Sequence, residues 1–395
     1  MNRIAKLSQE DRRFIFLTTS QKTGKSFAVI EKDYWVCYLI DYLFTKSDFK
    51  DLLIFKGGTS LSKGFELINR MSEDIDLILN WKALGEEYNL DAIENDDSLS
   101  KTKLDKIKKE ITLKTNRYLK DEFAPKLSKG IKEDLGYEIN VSCVDENGGI
   151  VIYIDYPKNI KDDYLREVVK LEIGPLAALT PTQIVEIKPY CYDDFSSLFT
   201  KNSILVNTVK PERTFWEKAT ILHREYCRPK EKPMPVRYFR HYYDLYMLGK
   251  SLYKDLALNN KELLTAVVHF KQTFYKETWM DYFDILKNGI HLIPDDYRFK
   301  DLKEDYNKMK EMIIAIIPFD EIMENLKFLE LKINDQNGFM PGIISELLSV
   351  ILKSKMSIVV SGVTGTGKTE FQKYLINFVQ IPDLHLTALH RSSGQ

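Results

Sequence analysis

The chain has 395 residues, 44% of them hydrophobic and 29% charged, with a formal net charge of −1. That length supports two or three domains with sizeable cores, and the balanced charge excludes a globally basic nucleic-acid binder, so any contact with RNA or DNA has to be local. Four cysteines (Cys37, Cys143, Cys191, Cys227) lack Cys-x-x-Cys spacing and read as small buried hydrophobes. The N-terminus lacks the apolar stretch of a signal peptide, and no run reaches the roughly eighteen apolar residues that cross a bilayer, which predicts a cytoplasmic protein without a membrane partner.

Residues 8 to 47 predict two helices, the second from Ala28 to Thr45 with Trp35, Leu39, Tyr42 and Leu43 on one stripe. A strand, Leu52 to Phe55, then leads into Lys56-Gly57-Gly58-Thr59-Ser60, a short helix and a second strand carrying Asp74-Ile75-Asp76. Asp74 and Asp76 are two apart, so on a strand they share a face, while Ile75, Leu77 and Leu79 take the other. Paired carboxylates on a rigid strand are a common holder of Mg²⁺, which prefers oxygen ligands and keeps substrate phosphates in its shell. The glycine turn offers backbone N–H groups and a helix N-terminus to phosphate oxygens. Either feature alone is more often a turn or a solvated edge. Joined at this spacing, with apolar strands around them, they indicate nucleotidyl transfer from a nucleoside triphosphate (NTP).

Residues 101 to 134 are lysine-rich with Leu104, Ile107, Ile111 and Leu113 interspersed, and read as a solvated amphipathic helix rather than an RNA patch. A β-hairpin is predicted from Tyr137 to Tyr156, turning through Asp145-Glu146-Asn147-Gly148-Gly149. In the next strand, Glu167 to Gly174, Glu172 stands on one face with Lys170. It reads equally as a third carboxylate of a metal site or as part of a half-exposed polar face. From Pro211 the chain is mostly helical, with Pro211-Glu212 as a helix start. Arg228 to Pro235 is a proline-broken basic loop. A helix from Arg237 to Leu248 is expected to end at Gly249 and carries Arg240, His241 and Asp244 among tyrosines. Asp244 needs a partner if buried, and Lys218 on the preceding helix can supply one. Further helices run to about Asn334.

Several segments resemble the AbiEii/AbiGii-type nucleotidyltransferase toxins of the DNA polymerase β-like superfamily. They are Ile30-Glu31-Lys32-Asp33-Tyr34-Trp35-Val36, Phe55-Lys56-Gly57-Gly58-Thr59-Ser60-Leu61, Arg70 to Leu77, Pro211 to Lys218, and Arg240 to Tyr246. The resemblance implies an α+β fold: a mixed-sheet catalytic lobe over residues 1–200 and a helical lobe over 201–334 completing the active site, with residues 335–395 left as a short appendage outside it. It implies that Gly57, Gly58 and the hydroxyls of Thr59 and Ser60 cradle the triphosphate, and that Asp74 and Asp76 hold Mg²⁺. Lys218 then matches a basic active-site residue, Asp244 a later catalytic carboxylate, and Arg70 a group approaching the phosphates or acceptor. Glu172 is a longer metal ligand than the aspartate common in the superfamily. The implied partners are an NTP, an RNA acceptor such as a tRNA 3′ end, and a cognate antitoxin.

A second phosphate-binding signature closes the chain. A strand, Met356 to Ser361, leads into Gly362-Val363-Thr364-Gly365-Thr366-Gly367-Lys368-Thr369, which satisfies Gly-x-x-x-x-Gly-Lys-Thr before a helix. Gly362, Gly367, Lys368 and Thr369 are candidate nucleotide ligands, with Lys368 on the β/γ-phosphates and Thr369 on Mg²⁺. No acid-bearing strand of the Walker B kind follows, so residues 335–395 read as the first fragment of a P-loop ATPase, a remnant without hydrolytic activity. The leading reading is a nucleotidyltransferase toxin. The alternatives are a nucleotide-binding interaction protein with a degenerate site and, behind it, a P-loop motor.

Overall fold

The computed structural model describes residues 1–337 except 73, 97, 159–167 and 311–315. The Gly362–Thr369 motif therefore lies outside the described residues.

After a single helical turn at Asn2–Ala5, two capped helices follow. Helix α1 (Gln9–Thr23) starts at Ser8, whose hydroxyl accepts the Asp11 N–H, and stops at Gly24 in the left-handed conformation. Helix α2 (Phe27–Asp41) starts at Ser26 in the same way. The stripe expected of α2 is not what forms: every residue from Ile30 to Asp41 is buried, Glu31, Lys32 and Asp33 included. A helix enclosed on all sides can carry charge only where partners wait. Asp33 finds the Lys63 ammonium at 2.6 Å and the Tyr190 N–H at 2.7 Å.

A seven-stranded mixed sheet follows, in the order β3-β4-β5-β2-β1-β7-β6. Its strands are β1 (Leu53–Lys56), β2 (Asp74–Leu79), β3 (Val141–Glu146), β4 (Gly149–Ile154), β5 (Val169–Gly174), β6 (Thr182–Ile187) and β7 (Ile204–Val209). β2 runs antiparallel to β1 and parallel to β5, and β1 lies parallel to β7. Period-two alternation sends Phe55, Ile75, Leu77, Leu171 and Ile173 into one core with α2. Strands β6 and β7 were not foreseen, although Val185, Ile187, Ile204 and Val206 alternate as buried strand residues.

One expectation is corrected locally. The hairpin turn is tighter, with Glu146 paired to Gly149 around Asn147 and Gly148, both at positive φ. An Asn-Gly pair suits that two-residue turn, so the strands extend into the span expected to be loop. The lysine-rich segment is helical throughout as expected: α3 (Lys101–Tyr118) continues through a π-helical turn at Leu119–Phe123 into α4 (Ala124–Leu135).

The second core is helical. It comprises α5 (Pro211–Tyr226), α6 (Phe239–Lys250), α7 (Lys261–Tyr275), α8 (Phe299–Met309) and α9 (Phe319–Gln336). Pro211 occupies the first turn of α5, where its missing N–H is harmless. α6 starts two residues later than expected and runs through Gly249. There a side chain would press on Leu329 of α9, so this glycine serves helix packing and not a helix end.

Candidate active site

Strand register builds the floor of the site. Lys56 on β1 pairs with Asp76 on β2, and Asp76 pairs with Glu172 on β5, giving one row across three strands. Asp74 lies one step along the same face, opposite Lys170. These side chains line a cleft of about 600 Å³, together with Gly57, Gly58, Arg70 and Ser72. The far wall comes from the helical lobe, including Glu217 and Lys218 of α5, Arg240 and His241 of α6, and Asp305 and Lys308 of α8.

The glycine turn is shaped by close approach. Gly57 has φ +80°, and a Cβ there would overlap the Asp76 carboxylate. A Cβ on Gly58 would sit 2.7 Å from Arg70 Nη2 and 2.8 Å from Ser72 Oγ. The two hydroxyls that follow are fully buried and already used. Thr59 donates to the Asp74 carbonyl and lies 2.9 Å from Ser72 Oγ, while Ser60 donates to the Gly57 carbonyl at 2.8 Å. Neither lines the cleft. They brace the turn against β2. Ser72, on the segment between the turn and β2 and without a motif of its own, presents its hydroxyl in their place.

Behind the opposite wall sits Asp244, fully buried. Arg70 grips it with both arms of its guanidinium, Nε at 2.7 Å and Nη2 at 2.9 Å. Lys218 donates to the same carboxylate at 2.7 Å and to His241 Nδ1 at 3.1 Å. Burial alone would raise the Asp244 pKa, but Arg70 and Lys218 hold it well below the usual carboxylate range. Burial lowers the Lys218 pKa, and burial with Lys218 alongside keeps His241 neutral, its Nδ1 free to accept. Two cations against one carboxylate leave this wall net positive. The structure thus joins Arg70, Lys218 and Asp244, and places Asp244 behind the lining instead of in it.

The carboxylate floor has the opposite problem. Burial, then Glu172 and Asp74, push the Asp76 pKa up to about 6 against the pull of Lys56 and Arg240. Lys56 is itself held above its ordinary value, since Asp76 and Glu217 outweigh the effect of burial. Glu172 pairs with Lys170 at 2.5 Å, and Lys170 also reaches Glu146 at 3.0 Å. Among the described residues no three His, Cys, Asp or Glu side chains come together in metal-binding geometry. The pair Asp74 and Asp76 does fit a divalent cation in chemistry: two oxygen donors on one strand face, one of them poorly compensated. Glu172 would join only by leaving Lys170.

A glycine turn braced against a strand with two carboxylates, facing a positive helical wall, is the arrangement of a nucleotidyltransferase. The chain belongs to the nucleotidyl transferase AbiEii toxin family of type IV toxin–antitoxin systems, whose match spans residues 40–325, more than half of its length. It is accordingly an AbiEii-type nucleotidyltransferase, a class that implies an NTP substrate and a cognate antitoxin. Similar solved structures include MenT4, a nucleotidyltransferase toxin from Mycobacterium tuberculosis, at 12% identity and a TM-score of 0.40 over 82% of this chain and 98% of that one. JHP933 from Helicobacter pylori is similar at 15% identity and a TM-score of 0.40, with the same 82% and 98% coverage. No curated protein matches the chain at a significant level. No helix among the described residues is long and apolar enough to cross a membrane.

Proposed function

We propose that this chain is a Mg²⁺-dependent toxin that transfers a nucleoside monophosphate from an NTP to an RNA acceptor, such as the 3′ end of a tRNA, in the cytoplasm. The observation that carries the reading is one cleft lined by Gly57, Gly58, Asp74, Asp76 and Lys218, with Asp244 fixing Lys218 and Arg70 from behind. In this reading backbone N–H groups of the glycine turn donate to phosphate oxygens, and Ser72 adds a hydroxyl beside them. Lys218 and Arg70 hold the β- and γ-phosphates, and Asp244 keeps both at a fixed height above the floor. Asp74 and Asp76 would hold the divalent cation, which would supply charge neutralisation to the triphosphate. The acceptor hydroxyl gives up its proton to solvent as its oxygen forms the new bond to the α-phosphorus, and pyrophosphate leaves with the electrons of the broken P–O bond.

The test is incubation of the full chain with each α-labelled NTP, Mg²⁺ and total RNA. Labelled RNA from the wild type, and none from D76A, is expected. No label from the wild type with any NTP, or equal label from D76A, refutes the reading. The binding-module alternative predicts NTP binding without transfer, so the same assay separates the two.

A further inference from the structure

The segment from Arg228 to His241 carries Arg228, Lys230, Lys232, Arg237 and Arg240 against one acid, Glu231, in a chain whose net charge is −1. Its far end forms the cleft mouth. Val236, Arg237 and Arg240 line it there, and Lys308 joins them from α8. Arg237, Arg240 and Lys308 are exposed, and none of the three is held in an ion pair among the described residues. Aromatic rings lie by other cations, at the start of the loop and on α5, where Arg224 and Arg228 are also ion-paired to Glu277 and Glu225. Arg224, Arg228 and Lys232 lie 5.3–5.6 Å from the Trp279 ring centroid, and Lys230 lies 5.4 Å from that of the exposed Tyr297.

What fixes this rim is a single carboxylate. Helix α6 has no capping side chain of its own and no acid in its first turn. Asp305, from α8, supplies the missing acceptor: one oxygen takes the Phe239 N–H at 2.7 Å and the other takes the Arg237 N–H at 2.9 Å. Arg237 stands at φ +58°, a left-handed conformation that a residue with a side chain rarely adopts unless its surroundings impose it. Both Asp305 oxygens are turned to backbone N–H groups, so this acid can sit in a phosphate-binding cleft with its charge directed at the helix N-terminus.

We infer that Asp305 is a positioning residue for the acceptor. It staples the start of α6 and the strained Arg237, so that Arg237, Arg240 and Lys308 form a fixed basic rim along which a single-stranded nucleic acid enters the cleft. The inference rests on the transferase reading above. Arg237 and Lys308 are exposed and stand apart from the glycine turn and the Arg70–Asp244–Lys218 cluster, so they govern the acceptor and not the NTP, whereas Arg240 also acts on Asp76. Exposed cations leading into a cleft built for a triphosphate fit a phosphate backbone whose terminal hydroxyl has to reach that same cleft, which an acidic protein surface does not.

The experiment measures binding of a short fluorescein-labelled single-stranded oligoribonucleotide to the full chain by anisotropy across a salt series. A fluorescent NTP analogue and thermal melting are followed in parallel. Removing the two outer cations in the double variant R237A/K308A is expected to weaken RNA binding about fivefold or more and to flatten the log K–log salt slope by about 1.4, at roughly 0.7 per lost phosphate contact. D305A is expected to weaken RNA binding several-fold while keeping most of the slope, because the cations remain and only their placement is lost. NTP binding stays unchanged in both. D305N, which keeps the side-chain size and one acceptor, should fall between wild type and D305A, and is read in place of D305A if that variant does not fold.

The inference is overturned if the wild type does not bind the oligonucleotide. It is also overturned if the Asp305 variants bind it as the wild type does, or if NTP binding falls in step with RNA binding. RNA binding that depends on Asp305 without any nucleotide transfer refutes the transferase reading instead, so the two failures are distinguishable.

Discussion

Asp244 and Asp76 are both buried carboxylates at the same cleft, and their surroundings give them opposite tasks. Asp244 is over-compensated by Arg70 and Lys218, so its charge is secure. Asp76 sits beside Glu172 and Asp74 and is under-compensated until a cation arrives. Replacing Asp244 by Asn leaves two buried cations without their counter-charge. Such a loss costs about 3–5 kcal/mol, measurable as a reduced midpoint in urea unfolding. D76N relieves like-charge repulsion instead. In chelator at pH 7 it should raise stability by about 1–2 kcal/mol while abolishing transfer, the exchange of stability for activity common at functional sites. A D76N chain less stable than wild type would contradict this account of the floor.

His223 gives the residue scale its pH dependence. Burial, then His291, lower its pKa to about 3, and its Nδ1 accepts the His291 N–H at 2.9 Å. The unfolded chain protonates this histidine near its ordinary value of 6.5. Between those values the unfolded state binds more protons, so stability falls as pH drops below about 6.5, by up to about 1.4 kcal/mol per pH unit from this group. Urea unfolding at pH 7.5 and 5.5 measures the slope. H223Q, which keeps an acceptor but cannot titrate, should reduce the slope to the share of the likewise depressed His241, and an unchanged slope in H223Q would assign the pH dependence elsewhere.

At the scale of elements, the local pieces were readable from spacing and the joints between them were not. The glycine turn and Asp-x-Asp strand showed in the sequence because period-two alternation and a Gly-Gly pair act over a few residues. The Arg70 grip on Asp244 did not show, since its partners stand 174 positions apart. The start of α6 was misplaced because its cap comes from Asp305 on another helix. Gly249 reads as a terminator in sequence, yet α9 needs its bareness, with Leu329 at 3.3 Å from where a Cβ would stand. G249V should therefore destabilise the α6–α9 contact by about 1–3 kcal/mol through overpacking and helix propensity, seen as a lowered melting temperature. A melting temperature equal to wild type would show that this contact yields without strain.

At the scale of the whole molecule, two cores meet across one functional surface. The sheet lobe supplies a negative floor, the helical lobe a positive wall, and the glycine turn spans the base of the cleft between them. A floor of like charge and a wall of excess cation are each poorly stabilised alone. A bound divalent cation with a triphosphate would neutralise both at once. Saturating MgATP should therefore raise the melting temperature of the wild type and leave D76N largely unshifted, by mass action on the folded state.

The central claim is that the cleft at Asp74 and Asp76 transfers a nucleotide to RNA, and the most direct measurement is mass spectrometry of RNA 3′ termini after reaction with each NTP and Mg²⁺. The account predicts termini extended by whole nucleoside monophosphates with the wild type and with K368A, and none with D76A. Extension that survives D76A, or that disappears in K368A, would contradict it.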